Sequence, residues 1–272
     1  MHDTVTRALF FDVDGTLIPF GSSLPDDTRK ALLEAHDRGH LLFVATGRSP
    51  GELDRRLEGI PFDGAVFSGG ARAFAGQQDI FSSFVSAEDL SFFLEESAGH
   101  GWLSMLQTDS ASWYSGDFIA VMEDIFRRYL GVGVSLSNLR QTDSLGAVEK
   151  VTKLVLITPQ GDMDRARRLF SPRFDIIDNT VGVPASLMAE VCQKNVNKAG
   201  AMKALLDWFG LPLSASIAFG DGSNDVEMLR QAGIGVAMGT SGPAVVSAAD
   251  YVTAACDKDG IGDALRHFGV IG

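Results

Sequence analysis

The 272-residue chain is 45% hydrophobic and 21% charged and carries a formal net charge of −12, a globular composition. The excess of acid argues against a nucleic-acid partner, which needs a basic surface to displace counterions, and against an anionic membrane face. No apolar run reaches the length of a membrane span, and Cys192 and Cys256 are too few for a disulfide framework or a cysteine metal site.

The length suits two domains. The opening MHDTVTR lacks the basic-then-apolar order of a signal peptide, so a reducing, cytoplasmic setting is expected. Ala8–Val13 reads as a buried strand, and Pro25–Gly39 as a helix with proline and acids in its first turn and glycine at its end. His40–Thr46 reads as a second buried strand. Ser49 is placed to cap a helix running to Gly59, with Pro50 at its first position, and Ala65–Gly70 reads as a third apolar strand. Strands apolar on both faces and separated by helices indicate a parallel sheet covered on both sides.

The texture changes between Phe84 and Ala189. A helix is predicted over Ser86–Gly101, with a capping-box pattern at Ser86 and Asp89. Strands are predicted within Trp102–Thr108, Val151–Pro159 and Val181–Val191. From Asn197 the first rhythm resumes: a helix to Gly210, a strand over Ala215–Asp221, a helix over Asn224–Gly233, a strand over Ile234–Gly239 and a short one near Tyr251–Ala254. The expected architecture is a doubly wound, Rossmann-like α/β core formed by residues 1–83 and 190–272, with an inserted α+β domain over 84–189.

The chemistry concentrates where apolar strands end in polar residues. Ligands of an open parallel sheet bind outside the carboxyl ends of its strands. Asp12 and Asp14 close the first strand, Thr46 and Gly47 the second, and Asp221 the strand before Asn224 and Asp225. Lys198 lies near the start of the helix leading into that last strand. Clustered acids repel a phosphate unless a cation joins them; with Mg²⁺ they become a cage of hard oxygen ligands that attracts one. Phosphoryl transfer is largely positioning and charge neutralisation, and this inventory suits it. A cap for a turn is the structural alternative for Asp12 and Asp14, and a solvated helix face for Lys198. Arg48 reads as one half of a surface ion pair, with a phosphate ligand as the alternative.

The segments DVDGT (Asp12–Thr16), TGR (Thr46–Arg48), Lys198 and GDGSND (Gly220–Asp225), in that order, resemble the four motifs of the haloacid dehalogenase (HAD) superfamily of phosphatases. The long insert and the closing segments GDGSNDVEMLRQAGIGVAMG and ADYVTAACDKDGIGDAL are similar to its Cof-type subfamily, which bears the larger α+β cap. The resemblance implies that Asp12 is a nucleophile and Asp14 a general acid/base whose backbone carbonyl also faces Mg²⁺. It implies that Asp12 and Asp221 are carboxylate ligands, with Asp225 joining them directly or through water. Thr46 and the Gly47 amide would bind phosphate oxygens, Lys198 would neutralise the nucleophile and the transferring group, and Asn224 would contact the phosphate or Lys198. Two turns depart from the family's pattern: Ser68-Gly69-Gly70, where Asn-Gly-Ala is usual, and Gly239-Thr240-Ser241, where Gly-Asn-Ala is common.

The implied activity is a Mg²⁺-dependent phosphatase acting, as monomer or homodimer, on a small phosphorylated metabolite such as a sugar phosphate. A phosphomutase or phosphotransferase using the same phosphoaspartate is the alternative. A phosphoacceptor signalling module is a third reading, disfavoured because it needs neither Asp14 nor so large an insert.

Overall fold

The computed structural model describes residues 6–53, 55–131, 138–179 and 182–272. The start of the N-terminal segment expected to lack a signal peptide, Asp54 of the helix expected over Ser49–Gly59 and Val181 of an expected strand lie outside them.

Strand β1 (Ala8–Phe11) is buried on both faces. Phe10 stacks on Phe43 and Phe11 on Phe219, at centroid separations of 4.5 and 4.8 Å. Helix α1 (Asp26–Asp37) opens on two acids, which suit the positive end of its dipole, and buries Ala31, Leu32 and Ala35. Strand β2 (Leu41–Ala45) follows. The helix expected over Ser49–Gly59 does not form; tight 3-10 turns occupy Pro50–Glu52 and Arg55–Leu57. The Gly51 backbone bonds to distant residues instead. The Gly51 amide donates to Asp109 O at 2.8 Å, and its carbonyl accepts from Asn138 Nδ2 at 2.8 Å. Strand β3 (Gly64–Phe67) is followed by a hairpin, β4 (Arg72–Ala75) and β5 (Gln78–Ser82).

In the insert, α2 (Ala87–Gly99) is capped by Ser86, whose side chain accepts from the Asp89 amide at 3.0 Å. Then come β6 (Leu103–Gln107), β7 (Ser112–Tyr114), α3 (Phe118–Leu130), β8 (Leu139–Gln141), β9 (Lys153–Ile157), α4 (Met163–Phe170), β10 (Phe174–Asp178) and β11 (Met188–Gln193). Their sheet has the order β10-β11-β9-β6-β7-β8, antiparallel except between β7 and β8. Leu154 and Leu156 pack with Phe93 and Phe170 on one face, and Val155 and Ile157 with Met122 and Ile125 on the other. That double covering is why β9 reads as a continuous apolar run.

The chain returns through α5 (Lys198–Trp208), β12 (Ser216–Gly220), α6 (Val226–Gln231), β13 (Ile234–Ala237), α7 (Pro243–Val246), β14 (Tyr251–Val252) and α8 (Gly260–His267). The larger sheet has the order β14-β13-β12-β1-β2-β3-β4-β5; its first six strands are parallel and the hairpin antiparallel. Leu9 and Phe11 face the cluster holding α1 and α8, while Ala8 and Phe10 face the one holding α5 and α6. The strand order reverses between β1 and β12, the position where doubly wound sheets bind ligands.

The chain divides into two compact units: Met1–Arg48, Leu53–Ser82 and Asn197–Gly272 form one, Ser49–Glu52 and Ser83–Val196 the other. The boundary expected at 189/190 falls inside β11, which is paired to β9 and β10, so the second unit runs on to Val196. No helix among the described residues is long and apolar enough to cross a membrane.

Candidate active site

Strands β1 and β12 run parallel with Phe11 opposite Phe219, and the acids that follow them therefore leave the sheet at one edge. The Asp12 amide continues the ladder by donating to Phe219 O at 3.0 Å. Gly15 then turns the chain at a φ of +91°, and a Cβ there would overlap the Asp221 carboxylate. Thr16 Oγ1 donates to Asp221 Oδ1 at 2.7 Å, so the turn after Asp12 is fastened to the end of β12. Spacing along the chain offers Thr16 only a hydrogen bond within its own turn. Its signal was its place directly after Asp-Gly, but its partner lies 205 positions away.

Lys198 is the first residue of α5 and is fully enclosed. Its Nζ donates to Asp12 Oδ1 at 2.7 Å and to Asp225 Oδ1 at 2.6 Å. Asp225 Oδ2 accepts from the amides of Asp221 and Gly222 at 3.1 and 3.0 Å. Asp225 thus fixes the ammonium with one oxygen and folds the loop after β12 with the other.

Thr46, at the end of β2, is buried, and its Oγ1 accepts from the Arg48 amide at 3.2 Å. Arg48 does form an ion pair, but with a residue of the expected site. Nε and Nη2 grip Asp14 Oδ2 and Oδ1 at 2.8 and 2.6 Å, with both side chains about a third exposed. This fork geometry orients the carboxylate as well as attracting it. Gly47 follows Thr46 at the same strand end. Asn224 sits in the 3-10 turn Ser223–Asp225, and among the described residues it makes no bond to Lys198. An open cavity of about 500 Å³ along α3 of the second unit, lined in part by Asp124, Arg128 and Leu187, contains none of these residues.

Burial holds the Asp12 carboxyl well above the usual range; Lys198 opposes that rise, and Asp225 and Asp221 add to it. Burial likewise pushes Asp221 up to about 6, against the Thr16 hydrogen bond and with help from the Asp225 charge. Burial alone would take the proton from Lys198, but Asp12 and Asp225 outweigh it and keep the ammonium charged. Three carboxyl groups thus gather around one ammonium. One oxygen each from Asp12, Asp221 and Asp225 lies within 4.8 Å of the others, so the three could hold a metal ion. Such an all-oxygen, acid-rich set fits a small hard divalent cation.

A family model described as haloacid dehalogenase-like hydrolase matches residues 9–265. The HMP-PP phosphatase of Enterobacter sp. (strain 638) is 28% identical over 269 residues, covering 97% of this chain and 96% of its own. A solved structure described as the HAD subclass IIB sugar phosphatase BT4131 is 31% identical, covers 98% of this chain and 100% of its own, and superposes with a TM-score of 0.81. A HAD phosphatase of Bacteroides thetaiotaomicron, BT1666, superposes at 0.84 with 26% identity, covering 98% and 96%.

Proposed function

The chain belongs to the haloacid dehalogenase-like hydrolases, and on that premise we propose that it is a Mg²⁺-dependent phosphatase of small phosphorylated metabolites. The observation carrying the reading is the buried contact of Lys198 with Asp12 and Asp225, set beside Asp221 at the switch point of the sheet. The names of relatives, an HMP-PP phosphatase and a sugar phosphatase, support small phosphate monoesters or related compounds as the substrate class.

Asp12, Asp221 and Asp225, with the Asp14 carbonyl, would hold the Mg²⁺, which when bound supplies charge neutralisation for the phosphoryl group. Asp12 attacks phosphorus; an O–P bond forms to its carboxylate as the bond to the leaving oxygen breaks. Asp14 gives that oxygen a proton. It then takes one from a water, which attacks the same phosphorus and returns Asp12 to a free carboxylate with release of phosphate. Thr46 and the Gly47 amide orient the phosphoryl oxygens, with Asn224 at their side, and Lys198 opposes protonation of Asp12 and offsets the charge being transferred. For Asp14 to reach the leaving oxygen it must loosen its fork with Arg48. Two buried, free thiols, Cys192 and Cys256, suit a reducing cytoplasm.

The test is hydrolysis of an aryl phosphate followed by phosphate release. Asp12→Asn is expected to abolish turnover while leaving the circular dichroism spectrum unchanged, and EDTA to silence the wild type until Mg²⁺ is restored. Turnover by the Asn variant removes Asp12 as nucleophile. Transfer of label to an added sugar acceptor, without phosphate release, points to the phosphotransferase instead.

A further inference from the structure

The turn Ser68-Gly69-Gly70 lies between two elements of the proposed site, and the backbone runs through it at positive φ in all three residues: +51°, +66° and +113°. On one side it supports the end of β2. The Ser68 amide donates to Arg48 O at 2.8 Å, and the Gly69 amide to Thr46 O at 3.1 Å. On the other side Gly70 meets the start of α5. A Cβ on Gly70 would overlap the carbonyl of Asn197, and would stand 2.7 Å from the Lys198 amide nitrogen. Asn197 is itself the N-cap of that helix, its Oδ1 accepting from the Gly200 amide at 3.0 Å.

We infer that Gly70 and Asn197 are positioning residues for Lys198, and that their contact fixes the distance between the lysine and the Thr46–Arg48 loop. The inference rests on the phosphatase reading, since it concerns residues that reading assigns to phosphate. Lys198 opens its helix, so its Cα moves with the first turn of α5, and that turn has two restraints. Asn197 closes the helix start by capping it. Gly70 lets the start of α5 come to backbone contact with the turn, which no side chain at position 70 would permit. The turn's other two amides hold the loop carrying Thr46. One short turn of main chain therefore connects the residue that faces the phosphoryl oxygens with the cation that faces the nucleophile. A shift of about 1 Å in such a group costs a large factor in rate.

The experiment separates close approach from backbone strain. Gly70→Ala is compared with Gly39→Ala; position 39 has a φ of +85° but nothing within 4 Å of an added Cβ. We expect Gly39→Ala to keep kcat for p-nitrophenyl phosphate within about threefold of wild type. Gly70→Ala is expected to lower kcat at least about 100-fold, by more than any change in KM, and to weaken binding of tungstate at least about tenfold by calorimetry, with an unchanged circular dichroism spectrum. Asn197→Ala is expected to lose about tenfold in kcat, and Asn197→Ser, which keeps a capping acceptor, to recover to within about threefold of wild type. If Gly70→Ala does not fold, the Asn197 pair decides alone. The inference is overturned if Gly70→Ala matches Gly39→Ala in kcat and tungstate affinity, or if the Ala and Ser variants at 197 are alike. A wild type that neither hydrolyses the ester nor binds tungstate removes the phosphatase reading and this inference with it. An active wild type with tolerant variants removes the inference alone.

Discussion

Replacing Lys198 by Met removes a charge without opening a hole, since the two side chains are similar in length and volume. The ammonium stands 2.7 Å from Asp12 Oδ1 and 2.6 Å from Asp225 Oδ1, with none of the lysine side chain exposed. Removing one partner of a buried ion pair strands the other, at a cost of about 3–5 kcal/mol. Each kcal/mol moves the thermal midpoint of a chain of this size by about 2–4 °C, so a loss of about 6–20 °C is expected. The pH dependence fixes the cause. Without the ammonium nothing opposes the burial that raises Asp12, which then binds its proton more tightly in the folded chain than in the unfolded one, so the deficit widens as pH rises. Thermal unfolding followed by circular dichroism in EDTA, at pH 5 and pH 8, gives both numbers. Adding Asp225→Asn takes away one stranded carboxylate and should recover part of the loss. A Lys198→Met midpoint within about 2 °C of wild type at pH 8 refutes the electrostatic account of this cluster.

Other consequences are open to direct measurement. Thr16→Ala deletes the hydroxyl that donates to Asp221 Oδ1; the Mg²⁺ concentration giving half-maximal activity should rise about 10–100-fold, and an unchanged titration would remove the residue from the site. His40 is buried, accepts from the Arg7 amide at 3.1 Å through Nδ1, and is held below its ordinary pKa by that burial. Its unfolded form therefore takes up a proton first as pH falls below about 6.5. The stability it contributes is present above that pH and lost below it. The difference in urea midpoint between wild type and His40→Asn should shrink from pH 7.5 to pH 5; a constant difference contradicts this. Burial pushes the Cys192 thiol up to about 12 and raises that of Cys256 as well. Iodoacetamide at pH 8 should label neither in the folded protein and both in urea, and rapid labelling of the folded chain would speak against the packing around them.

The core strands were legible because β1, β2, β9 and β12 are short apolar runs bounded by turn residues, which suit a sheet covered on both faces. The acids at the ends of β1 and β12 were legible for the complementary reason: each interrupts an apolar run where the sheet stops. The hairpin β4–β5 was missed. Its link, Gly76-Gln77, lacks the usual Asn-Gly or Asp-Gly signature, and β5 is exposed or half-buried throughout. The helix expected after Ser49 failed because its caps were local signals, whereas the bonds that won, from Gly51 to Asp109 and Asn138, come from residues more than fifty positions on. The same limit hid the partners of Arg48 and Thr16. Spacing along the chain names a strand end, but it does not say which guanidinium will fork which acid there.

The bonding of Ser49–Glu52 with the second unit gives the chain four crossings between its units, where a plain insertion needs two. A shortened protein joining residue 82 to residue 197 would keep this segment and discard Gln107, Asp109 and Asn138, to which Glu52 and Gly51 are bonded. The freed peptide groups, those of Gly51, would lie three residues beyond Arg48, on the strip of chain that carries Thr46 and Gly47. Trimming this protein to its first unit therefore disturbs the loop that the proposed function assigns to phosphate, and redesign by swapping the insert must carry residues 49–52 along with it.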